Sequence, residues 1–304
     1  MNSPRQNRLI WIALTAAPAL LAAIAFVQIR VDEETRSIAK QKEEVLLTSG
    51  PLLKKLSLGY DSLLADIYWT RVVQYYGGKL AVMDPNFELL PALLDLTTTL
   101  DPKLLIAYRY GSIFLSEHPP VGYGRPDLAA DFVRRGIAAN PGEWRLDFDL
   151  GFIYFWQERD YAKASAAFLE GSKIPGAPEW MATMAARMAD KSKELENARA
   201  LWSEIYRTTP NPKVRTMALN RLTTLRVLME EGWLNDEYQE YLKRFGRPPK
   251  TTADLKAAGI IPGLPVDPAG IGYIFGSDGK ARLDPGSPVV IESLPEAPSA
   301  SRQR

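Results

Sequence analysis

The chain has 304 residues, 46% of them hydrophobic, with 37 Lys plus Arg against 36 Asp plus Glu. That apolar share supports a packed core and excludes wholesale disorder; the net charge of +1 leaves no electrostatic footprint for nucleic acid, so no such partner is expected. Cysteine is absent and His118 is the single histidine, which excludes disulfides, thiolate metal sites and cysteine nucleophiles and leaves one candidate for any His-based metal site or triad.

Residues 9–29, "LIWIALTAAPALLAAIAFVQI", form an uncharged run long enough to cross a bilayer core. Pro18, mid-run, is better tolerated in a membrane helix than in a soluble one. A cleaved signal peptide is the rival reading, with Ala23-Ile24-Ala25 as the small-x-small site, and a buried soluble helix is the third. The run exceeds the usual signal core and no polar region follows it, so an uncleaved anchor is expected. Basic residues are sparser before the span (Arg5, Arg8) than after it (Arg30, Arg36, Lys40, Lys42). The tail is very short, however, and long domains translocate largely regardless of charge. The expectation is therefore a single pass in the inner (cytoplasmic) membrane, with residues 1–30 as tail and anchor and the body on the outer, periplasmic side. Residues 31–58, opening "VDEETRSIAKQKEEVLL", read as a charged helical linker.

From residue 59 the pattern is helical. "GYDSLLADIYWTRVVQYYGG", 59–78, reads as a first helix paired with "FELLPALLDLTTTL". Asp66 and Arg71 fall near its apolar face, as a buried or a surface pair. Further on, a spacing recurs. Leu150-Gly151 has Tyr154 three residues on, then Ala164 with Phe168, then Pro175 and Pro178. Tyr110-Gly111 has Phe114, then Ala129 with Val133, then Pro141. Ala185-Ala186 is followed by Ala198 with Trp202, then Pro210. The anchors Gly111, Gly151 and Ala186 stand 40 and 35 residues apart, against a repeat of about 34. The excess falls in "HPPVGYG", 118–124, and in one extra residue near "QERD". Small residues at Gly151, Ala164 and Gly171 let helix axes approach, and Leu150, Tyr154 and Phe168 fill the space between.

This pattern resembles the tetratricopeptide repeat. The resemblance implies a mostly α architecture over 59–246, an α-solenoid of antiparallel helix pairs whose first helices line a concave groove. Carried over by offset from the glycine, that groove holds Tyr108, Arg145, Phe148, Phe152, Phe155, Trp156, Arg187 and Lys191, with Ser112, Leu115 and Trp180 beside them. An aromatic floor flanked by basic residues suits an extended peptide or a partner helix. Aromatics packing against the next unit is the equally weighted alternative.

After "DEYQEYLKRFG", 236–246, read as a helix of its own, the composition changes. In 247–292, Thr252 caps a short helix through Leu255, and "IGYIF" and "KARLD" flank Ser277-Asp278-Gly279, a hairpin signal. Gly246, Pro249, Leu255, Pro265, Asp267, Pro268, Gly270 and Tyr273 make this small α+β lobe resemble the end of type II secretion pseudopilin and type IV pilin globular domains. Asp278 and Asp284 are too few for calcium and read as turn residues. Residues 293–304, "SLPEAPSASRQR", are disordered by composition.

No phosphate loop, metal cluster or nucleophile motif is present, so no enzyme activity, metal or cofactor is expected. His118, in "EHPP", reads as incidental. The leading expectation is a membrane-anchored scaffold binding a protein partner at the cell envelope, in secretion or pilus assembly. The alternative is a self-associating structural component.

Overall fold

The structure, a computed structural model, describes residues 50–292. The chain divides into two compact units, one reaching Val82 and including Phe87–Leu104, the other formed by Met83–Asn86 and Leu105 onward. The first unit contains α1 (Gly50–Leu56), α2 (Asp61–Ala81) and α3 (Leu90–Leu100). Helices α1 and α2 both pack on α3. Ala65 and Tyr68 meet Leu96 and Leu100 in its core, and Phe87 is buried against the Tyr76 ring at 5.6 Å. Asp66 is exposed and the Arg71 guanidinium lies 5.0 Å from the centre of the Tyr68 ring, so the buried-pair alternative does not hold.

The second unit is a succession of packed helices: α4 (Leu105–Ser116), α5 (Pro126–Ala139), α6 (Trp144–Phe152), a π-helical turn (Ile153–Glu158), α7 (Tyr161–Ser172), α8 (Trp180–Ser192), α9 (Leu195–Thr208) and α10 (Pro212–Phe245). Each helix packs on the next. Local chemistry sets the ends. Proline opens α5 and α10, where its missing N–H is an orphan anyway. Asp160 accepts from the Lys163 amide at 3.0 Å and Asn211 from the Lys213 amide at 3.0 Å, filling donors that the helix leaves open.

The small residues sit where helices touch. A β-carbon on Gly151 would lie 2.6 Å from the Phe168 ring, and one on Gly171 would lie 2.4 Å from Met181 Cε. Phe168 and Met181 are fully buried. A π turn takes in one residue more than an α turn does, and the π turn at 153–158 ends where Arg159 enters the left-handed region.

Two sequence expectations are corrected. The helix read at 236–246 is the end of one 34-residue helix, α10, since no proline follows Pro212 until Pro248 and Gly232 alone does not break it. The short helix α11 (Thr252–Ala257) is capped by Thr251 rather than Thr252, with Asp254 closing a capping box.

Residues 247–292 lie on α10. Strands β1 (Ile274–Phe275) and β2 (Ala281–Arg282) pair antiparallel, Phe275 opposite Ala281. Leu255, Ile261, Tyr273 and Ala281 share a core with Val227, Leu234 and Tyr241 of α10. The Tyr273 hydroxyl donates to Glu230, and burial pushes that phenol up. The buried Asp267 carboxylate accepts from the Ala269 and Ile271 amides at 2.8 Å each and from Ser287. Asp278 pairs with Arg282 at 2.6 Å and Asp284 accepts from the Gly286 amide at 2.8 Å, so both aspartates serve their own turns.

The expected membrane-anchored body is also corrected. No helix among the described residues is long and apolar enough to cross a membrane. Residues 9–29 lie outside the described residues, as do most of the 31–58 linker and the tail from 293. The single-pass inner-membrane topology, with its periplasmic body, accordingly has no spanning helix in the structure to rest on.

Candidate interaction groove

The groove residues expected from sequence divide into three sets. Tyr108 is 3% exposed, packed on Phe132 with ring centres 5.0 Å apart and touching Gly136. It belongs to the core, as do Ser112 and Leu115. The offset rule failed at these positions because α4 turns that face toward α5.

The second set clusters on the π turn and the helix before it. Phe148 packs between buried Phe168 (5.8 Å) and Trp180 (5.4 Å, edge-on). Phe152 lies over Trp156 with rings nearly parallel, 13° apart, and is 43% exposed. Phe155 touches Phe152, Trp156 and Tyr161. Tyr154, by contrast, is buried. On a regular α-helix, Phe152, Phe155 and Trp156 fall on one stripe. Here Phe155 and Trp156 lie on the π turn and are partly buried, and Phe152 just before it is exposed.

The third set is cationic. Arg145 covers the Trp144 ring at 4.7 Å and pairs with Glu143 at 2.8 Å. The Lys191 ammonium sits 5.3 Å from the Phe155 centroid and 5.4 Å from that of Tyr161, and Arg159 covers Trp156 at 5.2 Å. Such cations are attracted to the negative faces of the rings. Arg187 is exposed and reaches Met217 Sδ at 3.4 Å.

Between α8, the end of α9 and the start of α10 runs an open trough of about 840 Å³, bordered by Trp180, Met184, Arg187 and Met217. A smaller cavity of about 320 Å³ continues from it past Arg187 to Phe155 and Lys191. The structure thus brings Phe155, Arg187 and Lys191 to one cavity, with Phe148, Phe152 and Trp156 in the ring cluster alongside. Arg145 lies at the far end of that cluster, on Trp144.

Beneath this surface is a network that sequence reasoning missed. Asp190 is 2% exposed, and its Oδ2 accepts from the Trp202 indole at 3.0 Å and from Arg221 Nε at 2.8 Å. Arg221 Nη1 donates to the Glu292 carbonyl at 3.0 Å, and the Glu292 amide donates to Thr224 at 3.3 Å. The signal was present: Asp190 stands four residues after Ala186, on the small-residue stripe that must be buried. A carboxylate there demands buried donors.

His118 is exposed in its loop, and among the described residues no three His, Asp or Glu side chains cluster to hold a metal ion. Asp147, 6% exposed on α6, has its carboxyl pushed up to about 6 by burial.

No family model matches the chain, and neither a curated protein nor a solved structure matches it. The resemblances to tetratricopeptide repeats and to pilin ends are therefore corrected to what the packing shows. Among the described residues the chain is mostly α-helical with repeated helix-pair packing suggestive of a solenoid, and it carries a small, unclosed two-stranded sheet.

Proposed function

We propose that the second unit is a scaffold that binds a segment of a partner protein along the trough and ring cluster formed by α6, the π turn, α8 and α10. The observation that carries this reading is the exposure of clustered aromatic rings beside a trough bordered by Arg187: Phe152 is 43% and Trp180 46% exposed. Contiguous exposed apolar surface rimmed by polar groups marks interaction sites, and aromatic and Arg side chains dominate interface energetics. Self-association through the same surface is the second reading.

The test uses the full chain. Peptides selected on it from a random display library are measured against Trp156→Ala/Arg187→Glu. Loss of a central aromatic anchor costs about 2 kcal/mol or more, a drop of roughly thirtyfold in affinity, with melting unchanged. Undiminished binding removes the groove as the working surface. Should the double variant unfold, Trp156 is core, and Arg187→Glu alone, at an exposed position, decides the same question. Sedimentation at rising concentration separates self-association from partner binding.

A further inference from the structure

The last described stretch of chain has a direction. Val289 packs against the core that holds Val227 of α10. Three residues on, Glu292 is pinned nearer the start of that helix. Its carbonyl accepts from Arg221 Nη1 at 3.0 Å, its amide donates to Thr224 Oγ1 at 3.3 Å, and its carboxylate accepts from the Asn220 side chain at 3.2 Å. The chain therefore runs antiparallel to α10, toward Pro212. Glu292 also lines the cavity of about 320 Å³, and Met184, Arg187 and Met217 line both that cavity and the trough. The chain thus leaves its last pinned point at the groove itself. The sequence that follows is Ser293-Leu294-Pro295-Glu296-Ala297-Pro298. Extended chain advances about 3.3 Å per residue, and a helix rises about 1.5 Å. On the same course Leu294, about 7 Å beyond Glu292, comes level with Met217, and Glu296, about 13 Å beyond, comes level with Val214. Met217 and Val214 both line the trough. A residue before proline favours extended backbone, which suits Leu294 and Ala297 to this path. Leucine matches methionine walls, which adapt to the shape of what enters. Arg187 reaches Met217 Sδ at 3.4 Å and forms no ion pair among the described residues, so it offers Glu296 a cation. The carboxylate that lines the trough, Glu179, stands about two helical turns from Arg187.

We propose that residues 293–298 of the same chain are the resident occupant of the trough, with Leu294 on Met184 and Met217 and Glu296 on Arg187, so that a partner segment enters only by displacing them. A tether this short gives an effective concentration on the order of millimolar. That populates a contact too weak to hold between separate molecules. The displacement rests on the groove reading; the docking does not.

The chain has no cysteine of its own, so Ser299→Cys takes a single nitroxide label. In the ¹⁵N-labelled full chain the tryptophan indole N–H peaks report where that label lies. It should broaden the peak of Trp180, which lines the trough, and leave that of Trp233, about 24 Å along α10 from Met217, sharp. Adding Leu294→Asp and Glu296→Lys to the labelled chain should restore most of the Trp180 intensity with melting unchanged, and Glu296→Lys alone should restore part of it. Equal broadening with and without these substitutions, or none in any chain, overturns the docking. So does broadening of Trp180 in a mixture of unlabelled ¹⁵N chain with spin-labelled ¹⁴N chain, which would place the segment on a second copy. The display-selected peptides then separate the two readings. They should bind the Leu294→Asp/Glu296→Lys chain about tenfold more tightly, the gain for a site otherwise open in about a tenth of molecules. Equal affinity for both chains, with the Trp180 difference present, keeps the docking and removes partner binding from that surface. Equal affinity without the Trp180 difference, and still lost in Trp156→Ala/Arg187→Glu, keeps the groove and removes the docking.

Discussion

At the residue scale, two glycines in helices predict opposite responses to one substitution. A β-carbon at Gly151 meets the buried Phe168 ring at 2.6 to 2.9 Å, whereas one at Gly232 has nothing within 4 Å. Helix propensity favours alanine over glycine by about 1 kcal/mol at both. Overpacking a tight contact costs about 1 to 3 kcal/mol, which wins at Gly151. Gly151→Ala should lower the urea midpoint and Gly232→Ala should raise it. The same sign for both would refute the helix contact at Gly151.

Asp147 supplies a pH-dependent case. Its carboxyl titrates near 3.8 when free and near 6 in the fold, raised by burial. Between those values the folded state holds the proton more tightly, so stability falls as pH rises through the window and stays reduced above it. Asp147→Asn removes the buried charge. It should stabilise the chain by about 2 kcal/mol at pH 7.5, and that gain should vanish by about pH 4. A gain equal at both pH values would assign the effect to packing instead.

At the element scale, the π turn and α10 show what short-range pattern conveys and where it stops. The run "GFIYFWQERD" is legible as helix, and its one-residue excess over the repeat is countable in sequence. That the run passes from α to π after Phe152, with Gly151 against Phe168 and Tyr154 buried, is a matter of contact between two helices that spacing does not carry. Helix α10 is the converse case. The sequence reading opened a separate helix at 236, yet no residue there stops a helix, and the apolar positions Leu234 and Tyr241 are buried by the segment that follows. The same dependence makes the end of the chain a structural element of the second unit. Deleting 247–304 exposes Val227, Leu234 and Tyr241, at about 1.5 to 3 kcal/mol for each side chain. The truncated chain should unfold at clearly lower urea. An unchanged midpoint would show that α10 needs no cover.

At the scale of the whole molecule, the function proposed rests on the second unit, where helix pairing gathers residues far apart in sequence. Phe155, Arg187 and Arg221 come from three different helical elements to line one cavity, and Glu292 arrives there from the end of the described chain.

The mostly helical class, the small residues at helix contacts and the hairpin over Ser277-Asp278-Gly279 follow from the sequence alone, because each depends on spacing within a few turns or on one tight turn. The aromatic and basic candidates were legible as a set, but not which of them face solvent. Tyr108 and Phe152 are both aromatic residues near a helix glycine, yet one is covered by α5 and the other, at the end of α6, is exposed. Only the tertiary structure decided that, and only it joined Asp190 to Trp202 and Arg221. Burial is a property of neighbours brought together by packing, and a buried carboxylate draws its donors from wherever the fold supplies them.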